Sequence, residues 1–184
     1  FAQVSHEYLI EQVQFTGSEL VKSGSNKVNL HFNHPVKELV WVVREDSMVG
    51  TGVLQHFNWS SAAGTQDGTD DRNVYDASTS VRKVSDAKLQ LNGHDRFAAR
   101  NASYFRTCQP IQAGHKVPTK HIYCYSFALK PEEHQPSGTC NFSRIDNATL
   151  NMSWSSNPSA LKVYAVNYNV LRVMSGMGGL AYSN

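Results

Sequence analysis

Long apolar runs are missing from this sequence, and nothing in it approaches the roughly 20 residues that a membrane-spanning helix needs. Charge is also scarce: Asp, Glu, Lys and Arg make up 17% of 184 residues, and 17 basic against 15 acidic residues leave +2. No basic cluster or stripe exists to neutralise phosphates, which argues against an electrostatic nucleic-acid binder. Cysteine occurs three times, at Cys108, Cys124 and Cys140, with no C-x-x-C pair. That spacing supports neither a zinc ribbon nor a dense disulfide framework, so the thiols are expected to be free and buried. The opening residues FAQVSHEYLI carry no basic stretch ahead of an apolar core, and no signal peptide is read there.

What the sequence does contain is strand character. Eight Tyr, eight Phe and three Trp, with much Ser, Asn and Thr, describe a globular β domain. Short β-branched and aromatic runs recur between Gly, Pro, Asn and Ser clusters. The run 8–15 is followed by the turn pair Thr16-Gly17. In 27–32 the alternation puts Val28, Leu30 and Phe32 on one face, and Pro35 closes it. Residues 38–43 are apolar on both faces and predict a central strand. Further strands are expected at 88–92, 122–129, 150–154 and 161–174. In 122–129 the residues Tyr123, Tyr125, Phe127 and Leu129 should share a face. In the last run the apolar parity changes between Val170 and Leu171, which predicts a bulge or burial from both sides. Single helical turns fit 97–104 and 130–134. Seven or eight strands with long connections predict one two-sheet sandwich, either jelly roll or immunoglobulin-like. Residues 45–85, polar and without pattern, are expected to form a long loop insertion.

Motifs that carry chemistry are sparse. His31 and His34 lie three apart, a spacing that separates them on a strand, and the His-x-His pair of a metal-binding cupin does not occur. His94-Asp95 suggests an oriented base, but it follows Asn92-Gly93, so a turn with an ion pair from Asp95 to Arg96 or Arg100 is the preferred reading. The glycines of residues 175–180 lack the following helix that a phosphate loop requires, and predict a tightly turning or flexible tail. No nucleophile elbow or dinucleotide fingerprint is present. Catalytic, cofactor and metal residues are therefore assigned to none. Five sequons, at Asn58, Asn101, Asn141, Asn147 and Asn151, are candidate glycosylation positions.

Four blocks share one resemblance. FALKPEEHQPSGTCNFSRIDNATL at 127–150, LQLNGHDRF at 89–97, NYNVLRVMSGMGGLAYSN at 167–184 and HFNHPVKELVW at 31–41 closely resemble the major capsid proteins of large double-stranded DNA viruses, the iridovirus, phycodnavirus and giant-virus group. The resemblance implies an all-β, eight-stranded jelly-roll sandwich, the second half of a double jelly roll, with residues 1–184 as a single C-terminal domain. It implies a structural, non-enzymatic shell protein without cofactors, whose trimers form pseudo-hexagonal capsomers of an icosahedral capsid assembled in the host cytoplasm. Its implied partners are further copies and minor capsid proteins, with no direct nucleic-acid contact and an internal membrane that no dedicated segment touches. The long loop would then form an outward tower.

Pro131, Pro136 and Gly138 predict a rigid loop that presents Glu132, Glu133 and His134. Arg144 and Asp146 are expected to pair and hold the loop's return. Together these five residues are the candidate contact between jelly rolls or protomers. The alternative is a carbohydrate-binding jelly roll with Trp59 and Tyr75 as its sugar platform.

Overall fold

A computed structural model describes residues 4–46, 57, 59, 84–118, 120–154 and 159–182. Within them the strands are β1 (His6–Val21), β2 (Gly24–Asn29), β3 (Pro35–Glu45), β4 (Val84–Leu91), β5 (His94–Asp95), β6 (Arg100–Asn101), β7 (Tyr123–Ser126), β8 (Cys140–Asn141), β9 (Ala148–Trp154), β10 (Ser159–Met174) and β11 (Met177–Leu180). One sheet runs β1-β10-β3-β7, with β11 beside β10 and β8 beside β3. The other runs β2-β9-β4-β5, with β6 beside β4. All pairings are antiparallel. The principal strands β1, β2, β3, β4, β7, β9 and β10 alternate between the two sheets at every step, the crossing pattern of a jelly roll. The expected eight strands become eleven among the described residues, because two-residue bridges and a terminal hairpin carry too little pattern to be read locally.

Alternation builds the core. Leu39, Trp41 and Val43 of β3, with Leu161, Val163 and Ala165 of β10, face Leu89 of β4 and Leu150, Met152 and Trp154 of β9. Each fully buried large side chain contributes on the order of 2 kcal/mol of transfer free energy. An aromatic chain runs through this layer: Phe32 meets Phe142 at 6.1 Å, Phe142 meets Phe127 at 5.9 Å, and Phe97 bridges Tyr125 at 4.7 Å to Phe105 at 5.5 Å. Trp41 completes it, 5.2 Å from Phe105 and 6.0 Å from Tyr123.

Several boundaries differ from the sequence expectation. β1 does not stop at Thr16-Gly17; it continues through a register shift between Phe15 and Ser18, where Gly17 takes φ 109°. The strand expected over 122–129 ends at Ser126, since the Phe127 and Ala128 amides both donate to the Lys37 carbonyl, and Leu129 swings out to 78% exposure. The helical turn overlaps only the end of 97–104 and runs on past it: a π-helical turn, Tyr104–Cys108, leads into α1, Gln109–Gln112. Pro110 has no N–H to give the preceding turn, and it sits where a helix start tolerates it. Residues 130–134 form a non-helical turn. The glycine-rich tail forms a hairpin, with Ser175 at φ 53° and Gly176 at φ 79° between Met174 and Met177, as a two-residue I′ turn requires. The register of β10 against β3 does shift, but between Val166, which pairs Glu38, and Asn167, which pairs Val36, four residues before the expected parity change at Leu171, and the extra residue lies on β3. The loop insertion expected at 45–85 lies largely outside the described residues; Glu45 still belongs to β3, and β4 begins at Val84.

Candidate contact surface

The bulge sets the chemistry of the sheet's outer face. Lys37 is the extra residue of β3, so it and Glu38 both reach the side facing away from the core. Lys37 has 3% exposure, and its Nζ lies 2.6 Å from Glu11 Oε1 of β1. The same ammonium donates to the Pro131 carbonyl at 2.6 Å and stands 5.3 Å above the Tyr168 ring. A buried ammonium is tolerated only where such partners replace its water. Through this one side chain, β1, β3 and the loop 130–138 are tied together.

Glu38 points into a neighbouring cavity of about 460 Å³ whose walls include Val40, Pro110, Pro118, Ile122 and Cys124. His115, carried past the end of α1 by the bond from its own amide to the Pro110 carbonyl at 2.8 Å, reaches Glu38 Oε1 through Nε2 at 2.8 Å. Its Nδ1 lies 2.6 Å from Glu132 Oε1. Burial raises the Glu38 pKa despite the opposing effect of His115 and Lys37. Burial would lower that of His115, but the hydrogen bonds and charges of Glu132 and Glu38 outweigh it and the net direction is upward. Burial, with the Glu38 charge beside it, pushes the Cys124 thiol up to about 12, so it stays protonated.

The predicted contact residues divide. Glu132, Glu133 and His134 sit together on an exposed loop, at 65%, 57% and 69% side-chain exposure. Glu133 pairs with Lys130 at 3.1 Å, and His134 Nδ1 stands 3.8 Å from Glu11. Arg144 and Asp146 are exposed as well, but the ion pair expected between them does not form among the described residues; Arg144 instead ends a 3₁₀ turn, Phe142–Arg144, capped by the Asn141 side chain. Gly138 has φ 143°, and a Cβ there would lie 2.8 Å from the Phe127 carbonyl oxygen, so the loop's return demands glycine.

Sequence reasoning missed Lys37, Glu38 and His115. The available signal was the charged pair Lys37-Glu38 at the head of an otherwise apolar run, a place where solvated side chains are not expected.

Other readings are relocated. The Asn92-Gly93 turn forms with φ 50° and 81°, but Asp95 pairs with Lys88 at 3.1 Å and accepts from Gln90 at 2.6 Å, not from Arg96 or Arg100. Cross-strand register explains this, since Gln90 lies opposite Asp95 while adjacent residues point apart. Arg100 stacks over Tyr104 at 5.3 Å. All three thiols are free, but of the three expected to be buried only Cys124 is: Cys140 is half-buried and Cys108 is exposed. His31 is exposed while His34 is buried, and no metal-holding group of three or more His, Cys, Asp or Glu exists among the described residues. Asn101, Asn141 and Asn147 are exposed, Asn151 is half-buried with its Nδ2 donating to Gln90 at 2.8 Å, and Asn58 lies outside the described residues. Trp59 is half-buried and Tyr75 lies outside the described residues, so nothing here supports the sugar-platform alternative.

Two antiparallel sheets in jelly-roll order place the chain in the class of jelly-roll β-sandwich domains. Residues 1–179 match the family of large eukaryotic DNA virus major capsid proteins, and the chain belongs to that family. It is 52% identical over 207 residues to the major capsid protein of Pyramimonas orientalis virus, covering 100% of this chain and 45% of that protein. It is 44% identical to the major capsid protein of Paramecium bursaria Chlorella virus 1, covering 100% of this chain and 50% of that protein. Among solved structures, PBCV-1 VP54 superposes with a TM-score of 0.78 at 41% identity, over 100% of this chain and 53% of that one. The Faustovirus major capsid protein, at 18% identity and a TM-score of 0.65 over 90% of this chain and 33% of that one, supports the fold alone. The chain spans about half the length of the curated relatives it matches.

Proposed function

We propose that this chain is the C-terminal jelly roll of a double-jelly-roll shell protein, three copies of which form a pseudo-hexagonal capsomer of an icosahedral capsid. The observation that carries this reading is the match along the whole chain to half of a capsid protein, at 41% identity with a TM-score of 0.78. Two features support packing as its work. Edge strand β1 leaves Val13, Phe15 and Leu20 at 66%, 46% and 59% exposure, an apolar edge that an isolated protein would normally blunt. The loop bearing Glu132, Glu133 and His134 stands beside it, fastened through Lys37 and Glu11. In this reading the five residues Glu132, Glu133, His134, Arg144 and Asp146 lie at the contact between jelly rolls or protomers. Minor capsid proteins bind the assembled shell, which forms in the host cytoplasm. The protein has no catalytic role, no cofactor and no contact with the genome, and Asn101, Asn141 and Asn147 are the sequons open to modification.

The test is sedimentation and negative-stain imaging of the full-length protein. Trimers of hexagonal outline are expected; a monomer at micromolar concentration overturns the reading. Glu133→Lys is the cleaner probe of the loop, because Glu133 contacts only Lys130 among the described residues. It should lower trimer yield without changing the fold, and an unchanged yield would remove the loop from the contact.

A further inference from the structure

We propose that Glu132, His115 and Glu38 form a proton-sharing clasp that fastens residues 109–118 and 130–134 to the outer face of β3 and releases them as pH rises. Both ring nitrogens of His115 lie within hydrogen-bond distance of a carboxylate oxygen, at 2.6 Å and 2.8 Å. A neutral imidazole has one N–H and one lone pair. Facing two ionised carboxylates, it would set a lone pair against a lone pair at one of these contacts. The observed geometry therefore holds one further proton, either on the ring or on the Glu38 carboxyl, where it donates to Nε2.

The groups around the clasp do not supply that proton's charge by another route. From β3, Lys37 lies beside Glu38, but its ammonium is committed to Glu11 and the Pro131 carbonyl. From β7, Cys124 stays a thiol and hydrogen-bonds Glu38. From the loop comes Glu132, and from the helical segment Lys116, which lines the same cavity. On the loop's far side, His134 is turned toward Glu11. That cavity, about 460 Å³, gives solvent and hydroxide a path to the buried pair.

Both Glu38 and His115 are shifted upward, so the closed clasp binds more protons than the open one. The His115 contribution is fully present below the ordinary histidine pKa and is lost as pH rises through the raised value, and ionisation of Glu38 above the ordinary carboxylate range works in the same direction. Release is local. Gln109 Oε1 still accepts from the Ser126 amide at 3.2 Å, Lys37 still holds Pro131, and the core lies on the opposite face of the sheet. This inference concerns the chain alone and stands whether or not the capsomer reading holds.

The experiment is an NMR titration of the His115 ring together with amide hydrogen exchange on the protein. His115 should titrate above the ordinary value of about 6.5. After correction for intrinsic exchange, protection of residues 111–116 and 132–134 should fall by up to about tenfold per pH unit between about 6.5 and the His115 midpoint and level off above it. Glu38→Gln removes a charge but keeps hydrogen-bonding capacity, and should move both midpoints down together. Glu132→Gln, on an exposed side chain that puts folding at little risk, should do the same. A His115 midpoint at or below about 6.5, or protection independent of pH from about 6 to about 9, overturns the proposal.

Discussion

The β4–β5 hairpin and the β3 bulge each bring a lysine, a carboxylate and neighbouring polar groups together, yet they do different work. At the hairpin, Lys88, Gln90 and Asp95 lie within eight residues of sequence and keep contact with water, Lys88 and Asp95 at 32% and 44% side-chain exposure. The hydrogen bonds of Gln90 and then Lys88 hold the Asp95 carboxyl below its usual range. At the bulge, Lys37 and Glu38 gather Glu11, His115, Glu132 and Pro131, partners up to 94 residues away, and exposure of the central side chains falls to 3% and 8%. The same charges are thus a screened decoration in one place and a fastening in the other. Desolvation makes the difference: an exposed pair exchanges one good solvent for another, while a buried ammonium stripped of its partners has nowhere to turn.

Breaking the bulge should have the largest effect. Lys37→Ala removes the shared ligand of Glu11 and the Pro131 carbonyl and is expected to cost about 3 kcal/mol in urea unfolding. Gly138→Ala forces a Cβ against the Phe127 carbonyl at an unfavourable φ and should cost about 2 kcal/mol, with lost order in the 130–138 loop by hydrogen exchange. Thiol labelling sharpens the contrast between buried and exposed environments: Cys108 should react within minutes, whereas Cys124 should stay unmodified until the protein unfolds. Lys88→Ala, the matching change at the hairpin, should leave the unfolding midpoint within error of wild type. The two clusters also respond to pH with opposite signs. The Asp95 contribution is present above the ordinary aspartate pKa and fades as pH falls through its lowered value; the clasp fades as pH rises. A pH–stability profile that lost nothing on the alkaline side would erase this distinction.

Legibility followed the same division. The Asn92-Gly93 turn and the alternation of Val28, Leu30 and Phe32 were readable, because each is a local steric or periodic constraint. The tight loop after β7 was readable from Pro131 and Gly138, and Glu132, Glu133 and His134 were correctly placed on it. The partners of those residues were not. Arg144 and Asp146, near neighbours in sequence, do not pair, while Glu132 pairs with His115, 17 residues upstream. Asp95 chose Lys88 across a hairpin over the adjacent Arg96 because strand register, not sequence distance, decides which side chains face each other.

The sequence by itself determined an all-β sandwich: period-two patterning selects strands, turn chemistry selects their ends, and the scarcity of charge selects two large buried faces. The four blocks at 31–41, 89–97, 127–150 and 167–184 were enough to point to its family. Only the tertiary structure decided that Lys37 and Glu38 share one face, that the cavity beside Val40 is lined by two carboxylates and a histidine, and that β1 presents its apolar edge to solvent. Periodicity is written into each residue and its neighbours, but the environment of a charge is fixed by segments that meet only when the chain has closed over dozens of residues.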